Sequence, residues 1–247
     1  MILRSNTLQF YIDKLANKEY FSLGMLGDGE WQCIFNAAFG DRYKENCEHT
    51  LYDQELSQRM LESLKFKSSN FYFSAPDTFK KVPEYFSYEA KVDKTLQKLG
   101  VEIEFHEKNI WNKAMCDAEL NPLIMQLRKM NVVVISNKAL RKLDFLKYDK
   151  FIEIGYPNCY LDGSLQKAYV EAIDYGKPAV YILACGIPAI LLAQWLHGKI
   201  ENSWFIDMGS IWDTFVGIGA QRPTRAYLYS HPEEYKEWLA KNLKNIC

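Results

Sequence analysis

Two carboxylates separated by one glycine, Asp28 and Glu30, stand where an apolar run gives way. Residues 20–31 read YFSLGMLGDGEW. The run has the make-up of a buried strand, stops at Gly27, and is followed by the apolar stretch WQCIFNAAF. Carboxylates at the carboxyl end of a buried strand lie where open α/β sheets place their ligands. In an extended segment residues i and i+2 point to one side, which would bring Asp28 and Glu30 to one ion. Gly27 and Gly29 flank Asp28, and a residue without a side chain lets a bulky polyanion approach the backbone. Two oxygen donors with open coordination positions suit Mg²⁺ or Mn²⁺ held jointly with substrate phosphates. The competing reading is a helix start, with Asp28 as N-cap of a helix beginning near Trp31 and Glu30 favourable in its first turn. Spacing alone does not separate the two.

The second half of the chain repeats the pattern of apolar run followed by polar group. After NVVVI come Ser136, Asn137, Lys138 and Arg141. Asn137 fits a helix cap, and Lys138 and Arg141 beside open backbone N–H groups fit an anion. Solvated surface cations on a capped helix are the alternative. After KFIEI come Gly155, Tyr156, Pro157 and Asn158, and after YILA come Cys185, Gly186 and Ile187. After SWFI come Asp207, Met208, Gly209 and Ser210, with Asp213 beyond. Each alone is ordinary loop chemistry; in succession, at the sheet edge that carries Asp28 and Glu30, they imply a cleft. Asp207, Asp213 and Glu107 are candidates for a carboxylate base near an acceptor hydroxyl; the alternatives are a strand-end turn residue for Asp207, a helix cap or surface acid for Asp213 and a solvated loop acid for Glu107.

The elements that must position these groups follow from periodicity. Helices are expected over residues 7–18, from the acidic motif to Phe39, and over 54–64, 84–99, 164–176, 188–197 and 231–245, with a short one in KALRKLDFL. Strands are expected over 20–26, 70–74, 101–105, 131–136, 150–156, 179–185 and 203–209. Alternating strands and helices imply parallel pairing in an open sheet covered on both faces. The expected fold is α/β: one Rossmann-like, doubly wound, mostly parallel sheet in a single domain over residues 1–247, with a helical N-terminal elaboration. No internal repeat interrupts the chain.

Composition narrows the class. Hydrophobic residues make up 48% of 247, enough for a sizeable core. The formal net charge is −1 with acids and bases interleaved, which does not favour a nucleic-acid partner. The N-terminus, MILRSNTLQFYIDKL, lacks the apolar core of a secretory signal, and the six cysteines form no CxxC pair. Reduced thiols and a cytoplasmic location are the expectation. The histidines at 49, 106, 197 and 231 show no zinc spacing. The apolar segment 178–196 approaches membrane-spanning length, but Gly186 and Pro188 divide it into strand, turn and helix. GxGxxG, GxxxxGK[ST] and GxSxG are all absent.

LGDGEW resembles the RYGDGE-type motif of the GT-D fold glycosyltransferases, a family first described as a domain of unknown function. IGYPNCY is similar to that family's P-x-N-A-[YF] segment, YILACGIPAILLAQWL to its strand, G-P turn and helix, and WFIDMGSIWD to its A-x-D-x-G-[HN] segment with a downstream acid. Ser22-Leu23-Gly24 stand where the family carries Arg, and Ser210 where it often carries His or Asn. The resemblance implies a metal-dependent glycosyltransferase using a nucleoside-diphosphate sugar, a UDP-sugar foremost. Asp28 and Glu30 would hold Mn²⁺ or Mg²⁺, and Asn158, Gly186, Asp207 and Gly209 would line the donor cleft. From their own positions, Asp207 directly after the apolar run 204–206 is expected to bind or orient the donor, and Asp213 beyond Gly209 to serve as acceptor-side base. The acceptor would be a glycan, glycoprotein or glycolipid, and a homo-oligomer is compatible with it. A metal-dependent phosphotransferase or nucleotide hydrolase, and a non-catalytic nucleotide-binding module, are the competing functions.

Overall fold

The computed structural model describes residues 2–46, 49–77 and 86–246. Cys47, Cys247 and the expected helix start at Glu84 lie outside the described residues. The strands are β1 (Ile2–Arg4), β2 (Ser22–Met25), β3 (Phe71–Ala75), β4 (Glu104–Glu107), β5 (Val132–Ser136), β6 (Lys150–Glu153), β7 (Val180–Ala184) and β8 (Trp204–Asp207). They form one sheet in the order β1-β4-β3-β2-β8-β7-β5-β6, and every pair is parallel.

The helices are α1 (Leu8–Ala16), α2 (Asp28–Phe39), α3 (Gln54–Ser63), α4 (Phe86–Leu99), α5 (Asn109–Cys116), α6 (Asn121–Leu127), α7 (Ser164–Tyr175), α8 (Ala189–Leu196), α9 (Pro223–Ser230) and α10 (Pro232–Asn242). Successive strand residues point to opposite faces, so a sheet covered on both sides needs continuous apolar strands. Val133 and Ile135 of β5 join the core under α2, α3, α7 and α8, while Val132 and Val134 join the core under α1, α5, α6 and α10. The doubly wound α/β reading of the sequence therefore holds. The N-terminal half carries helices and also four strands of the same sheet.

Local chemistry explains the remaining differences. KALRKLDFL is two 3₁₀ turns, Lys138–Lys142 and Asp144–Leu146, not one α-helix. Its buried residues Leu140, Leu143 and Leu146 recur every third position, which suits three residues per turn. The C-terminal region holds two helices, α9 and α10, broken at His231 before Pro232. The 178–196 segment splits into β7 and α8, and no helix among the described residues is long and apolar enough to cross a membrane. Gly24 lets α8 lie close on β2: a Cβ there would sit 2.5 Å from Ile190 Cγ1.

Candidate functional site

The carboxyl ends of the strands open onto one cleft of about 990 Å³. β2 contributes Met25 and then Asp28, Gly29 and Glu30; β4 leads to Lys108, β5 to Asn137 and Lys138, and β6 to Gly155, Tyr156 and Pro157. Cys185, Gly186 and Ile187 follow β7, and Asp207, Met208, Gly209, Ser210 and Asp213 belong to β8 and its exit. Between the neighbours β7 and β5 the outgoing connections part, β7 leading to β8 on one side and β5 to β6 on the other. Doubly wound sheets bind ligands at such switch points.

Asp28 and Glu30 do not converge by lying on an extended segment. They occupy the first turn of α2, whose N-cap is Gly27. The Gly27 N–H donates to Glu30 Oε2 at 2.7 Å, so the glutamate caps the helix by reaching back. Asp28 is exposed in the cleft, and both carboxylates favour the positive end of the helix. The Glu30 carboxyl is held above the usual carboxylate range, mainly by burial; Lys108 opposes this and Asp28 adds to it. Gly27 itself does not line the cleft; it leaves space that the Lys108 ammonium occupies. Gly29 lines the cleft, and a Cβ there would press on Ile187 Cδ1 at 3.0 Å and Asn46 Cβ at 3.2 Å.

Asp207 is 4% exposed and ties two loops together. Its Oδ2 accepts the Met25 N–H at 3.1 Å and its Oδ1 accepts the Gly209 N–H at 2.9 Å. The first bond continues the β2–β8 pairing; the second closes the turn through Gly209, whose φ is +53°. Burial, then the neighbouring Glu30, push its pKa up to about 7, against the two backbone N–H groups and Lys108. Asp213 lies in the 3₁₀ segment Ile211–Val216 and pairs with Arg225, Nη1 to Oδ2, at 3.1 Å. Arg225 is 1% exposed and also donates from Nη2 to the Ser210 hydroxyl at 2.8 Å and to the Ser210 carbonyl.

Of the other expected residues, Lys138, Gly186 and Gly209 line the cleft. Lys138 is exposed, and Asn137 caps its turn by accepting the Ala139 N–H at 2.9 Å. Gly186 turns the chain after β7 with φ +66°. Arg141 does not reach the cleft: it pairs with Glu153 at 3.1 Å and lies over the Phe151 ring at 4.5 Å. Only a 3₁₀ turn follows Asn137, so Arg141 points along the β6 side. Asn158 is also outside: its amide donates to the Leu51 carbonyl at 3.1 Å and its Oδ1 accepts the Leu161 N–H at 3.2 Å. Glu107 accepts the N–H groups of Asn109 and Asp77, a turn-holding role rather than that of a solvated acid.

No protein-family model matches the chain, and no curated protein does. Solved structures do. One is described as "The highly conserved domain of unknown function 1792 has a distinct glycosyltransferase fold"; it superposes with TM-score 0.61 at 15% identity, over 85% of this chain and 79% of that one. "A New Glycosyltransferase (DUF1792) from Streptococcus sanguinis" gives TM-score 0.61 at 14% identity, over 85% and 82%. The chain has the 1792-type glycosyltransferase fold.

Within that fold, the sequence reading overlooked contributors to the cleft from four segments. Lys108 sits in HEKN, a polar stretch with the composition of a loop; its position directly after β4 was the available signal. Asn46 and Thr50 come from the loop before α3, which folds over the cleft and is fixed by the Thr50 hydroxyl donating to the Pro157 carbonyl at 3.0 Å. Trp111 and Asn112 come from α5, and Arg222 from the residue before α9.

Proposed function

We propose that this protein is a glycosyltransferase that takes a sugar from a nucleoside-diphosphate sugar, a UDP-sugar foremost, and passes it to a glycan or glycoconjugate. The observation that carries the reading is the cleft itself. On a glycosyltransferase fold, a cavity of about 990 Å³ at the strand ends holds two carboxylates in the first turn of α2. Ligand pockets are commonly about 300–1,000 Å³, which accommodates a nucleotide sugar.

The donor set suits a hard divalent cation shared with phosphate. Asp28 is exposed in the cleft and Glu30 is beside it. Among the described residues, no group of three or more His, Cys, Asp or Glu makes a closed metal site. Two carboxylates completed by phosphate oxygens are the pattern expected for Mg²⁺ or Mn²⁺. When bound, such an ion would neutralise charge on the departing diphosphate. Asp28 and Glu30 would hold it, with Glu30 oriented by the Gly27 N–H. Asp207 positions the donor by locking the β2 and β8 exits. Lys138 offers a cation to the diphosphate. Asp213, oriented by Arg225, is the acceptor-side carboxylate that would receive the hydroxyl proton.

The test is a thermal-shift panel of nucleoside-diphosphate sugars with and without Mn²⁺, followed by transfer to added glycan acceptors. A donor-specific, metal-dependent rise in melting temperature with transfer supports the reading. Donor hydrolysis that no acceptor converts into transfer favours the hydrolase, and binding without turnover or metal favours the binding module.

A further inference from the structure

Lys108 has a placement that its sequence context does not suggest. Its backbone N–H donates to the Ala75 carbonyl at the end of β3, and its side chain runs from there to the N-cap of α2. A methyl group on Gly27 would lie 2.2 Å from Lys108 Nζ and 2.9 Å from Glu30 Oε2. Gly27 has an ordinary φ of −87°, so its backbone does not require glycine; the space does. Among the described residues the ammonium makes no hydrogen bond and no ion pair within 4.0 Å. It is nevertheless the counter-charge that faces both Glu30 and Asp207. Holding a half-buried ammonium in one place costs rotamer entropy and desolvation, and an anion completing its hydrogen-bond shell offsets that cost.

We propose that Lys108 binds the diphosphate of the donor directly, as a fixed cation beside the divalent ion and independent of it, and that position 27 is glycine to let it through. This rests on the reading of the cleft as a nucleoside-diphosphate site, and the test separates the two. Lys138 sits on the other side of the cleft and is exposed, so it cannot substitute from the same direction.

The experiment is titration calorimetry with inorganic pyrophosphate and with UDP, each in Mg²⁺ buffer and in EDTA. The proteins are wild type, Lys108→Met, Lys108→Arg and Gly27→Ala, with melting midpoints confirming that each is folded. Wild type is expected to bind pyrophosphate in both buffers. Lys108→Met should weaken it about 10- to 100-fold in both, the loss expected for one charge-assisted hydrogen bond. Lys108→Arg should keep most of the affinity. Gly27→Ala keeps the lysine but fills its seat, so it should weaken binding as well, and it carries the test if Lys108→Met does not fold. Unchanged affinity in Lys108→Met, a loss confined to Mg²⁺ buffer, or no pyrophosphate binding by wild type would each overturn the proposal. UDP binding no tighter than pyrophosphate would instead sink the nucleotide reading and leave Lys108 as an anion anchor.

Discussion

Replacing Asp207 by Asn should change the pH dependence of stability more than stability itself. Asp207 is buried, and its pKa rises from 3.8 in an exposed carboxylate to about 7 here. A group whose folded pKa is raised binds its proton more tightly when folded. Its contribution is complete below about pH 4 and is lost as pH climbs through about 7. A shift of about 3 units at about 1.36 kcal/mol each amounts to about 4 kcal/mol over that window. Asn keeps one acceptor oxygen for either Met25 or Gly209 and turns an NH₂ toward the other N–H. Leaving one buried N–H unsatisfied costs about 1–3 kcal/mol at every pH. The variant should therefore be less stable than wild type near pH 4 and draw level with it, or pass it, near pH 8. Urea melts of both proteins across that range give the difference curve, in which groups common to both cancel. A flat curve, or one in which wild type gains on the variant as pH rises, would refute the placement of Asp207 as a carboxyl strained by burial.

Other substitutions probe the remaining contacts. Asp28→Asn and Glu30→Gln remove charge with little volume and should abolish metal-supported transfer while circular dichroism stays native; full activity in EDTA would contradict the role. Lys138→Ala should raise the donor KM severalfold, whereas Arg141→Ala should leave donor kinetics unchanged, because its exposed pair with Glu153 contributes about 0–1 kcal/mol and lies outside the cleft. Arg225→Ala strands Asp213 and the Ser210 carbonyl and should cost about 3–5 kcal/mol in a urea melt. Gly24→Ala drives a methyl into Ile190 and should cost about 1–3 kcal/mol, with a smaller penalty when Ile190 is also trimmed to Val.

The parts of the molecule legible in the sequence were those with a long periodic signal. β5 and β7 are apolar on both faces because both faces are covered, and a continuous run such as NVVVI says so directly. The polar groups after β2, β5, β7 and β8 fell into one cleft because parallel strands put all their carboxyl ends on one edge. β1 escaped notice because three residues on a sheet edge carry too little pattern. α5 and α6 are a turn or two long and lie in a polar-punctuated stretch. For Asp28 and Glu30 the sequence left an extended segment and a helix start open; the chain is helical there, with Glu30 reaching back to Gly27, a contact that composition does not announce. Lys108 and Gly27 are 81 residues apart in the chain (108 − 27) and meet only because β4, β3 and β2 are neighbours.

The charge balance of the cleft ties these observations together. Asp28, Glu30, Glu45, Glu153, Asp207 and Asp213 line it, against Lys108, Lys138 and Arg222. Arg141 is spent outside, on Glu153. A cleft in which acids outnumber bases binds a bare diphosphate more weakly than one that cations accompany. Burial favours the neutral form of Asp207, which removes one charge from the floor below about pH 7. Lys108 offsets part of Glu30 from within. What is left uncompensated at the mouth of α2 is chiefly Asp28, exposed and adjacent to Glu30. Under the proposed function, a polyanionic donor would arrive with a divalent cation, and the same acids would then bind the pair rather than repel it. If so, nucleotide affinity should rise steeply with Mg²⁺ or Mn²⁺ in wild type, and Asp28→Asn should flatten that rise while leaving the binding measured in EDTA unchanged or slightly tighter. A metal response that survives Asp28→Asn intact would place the cation elsewhere in the cleft.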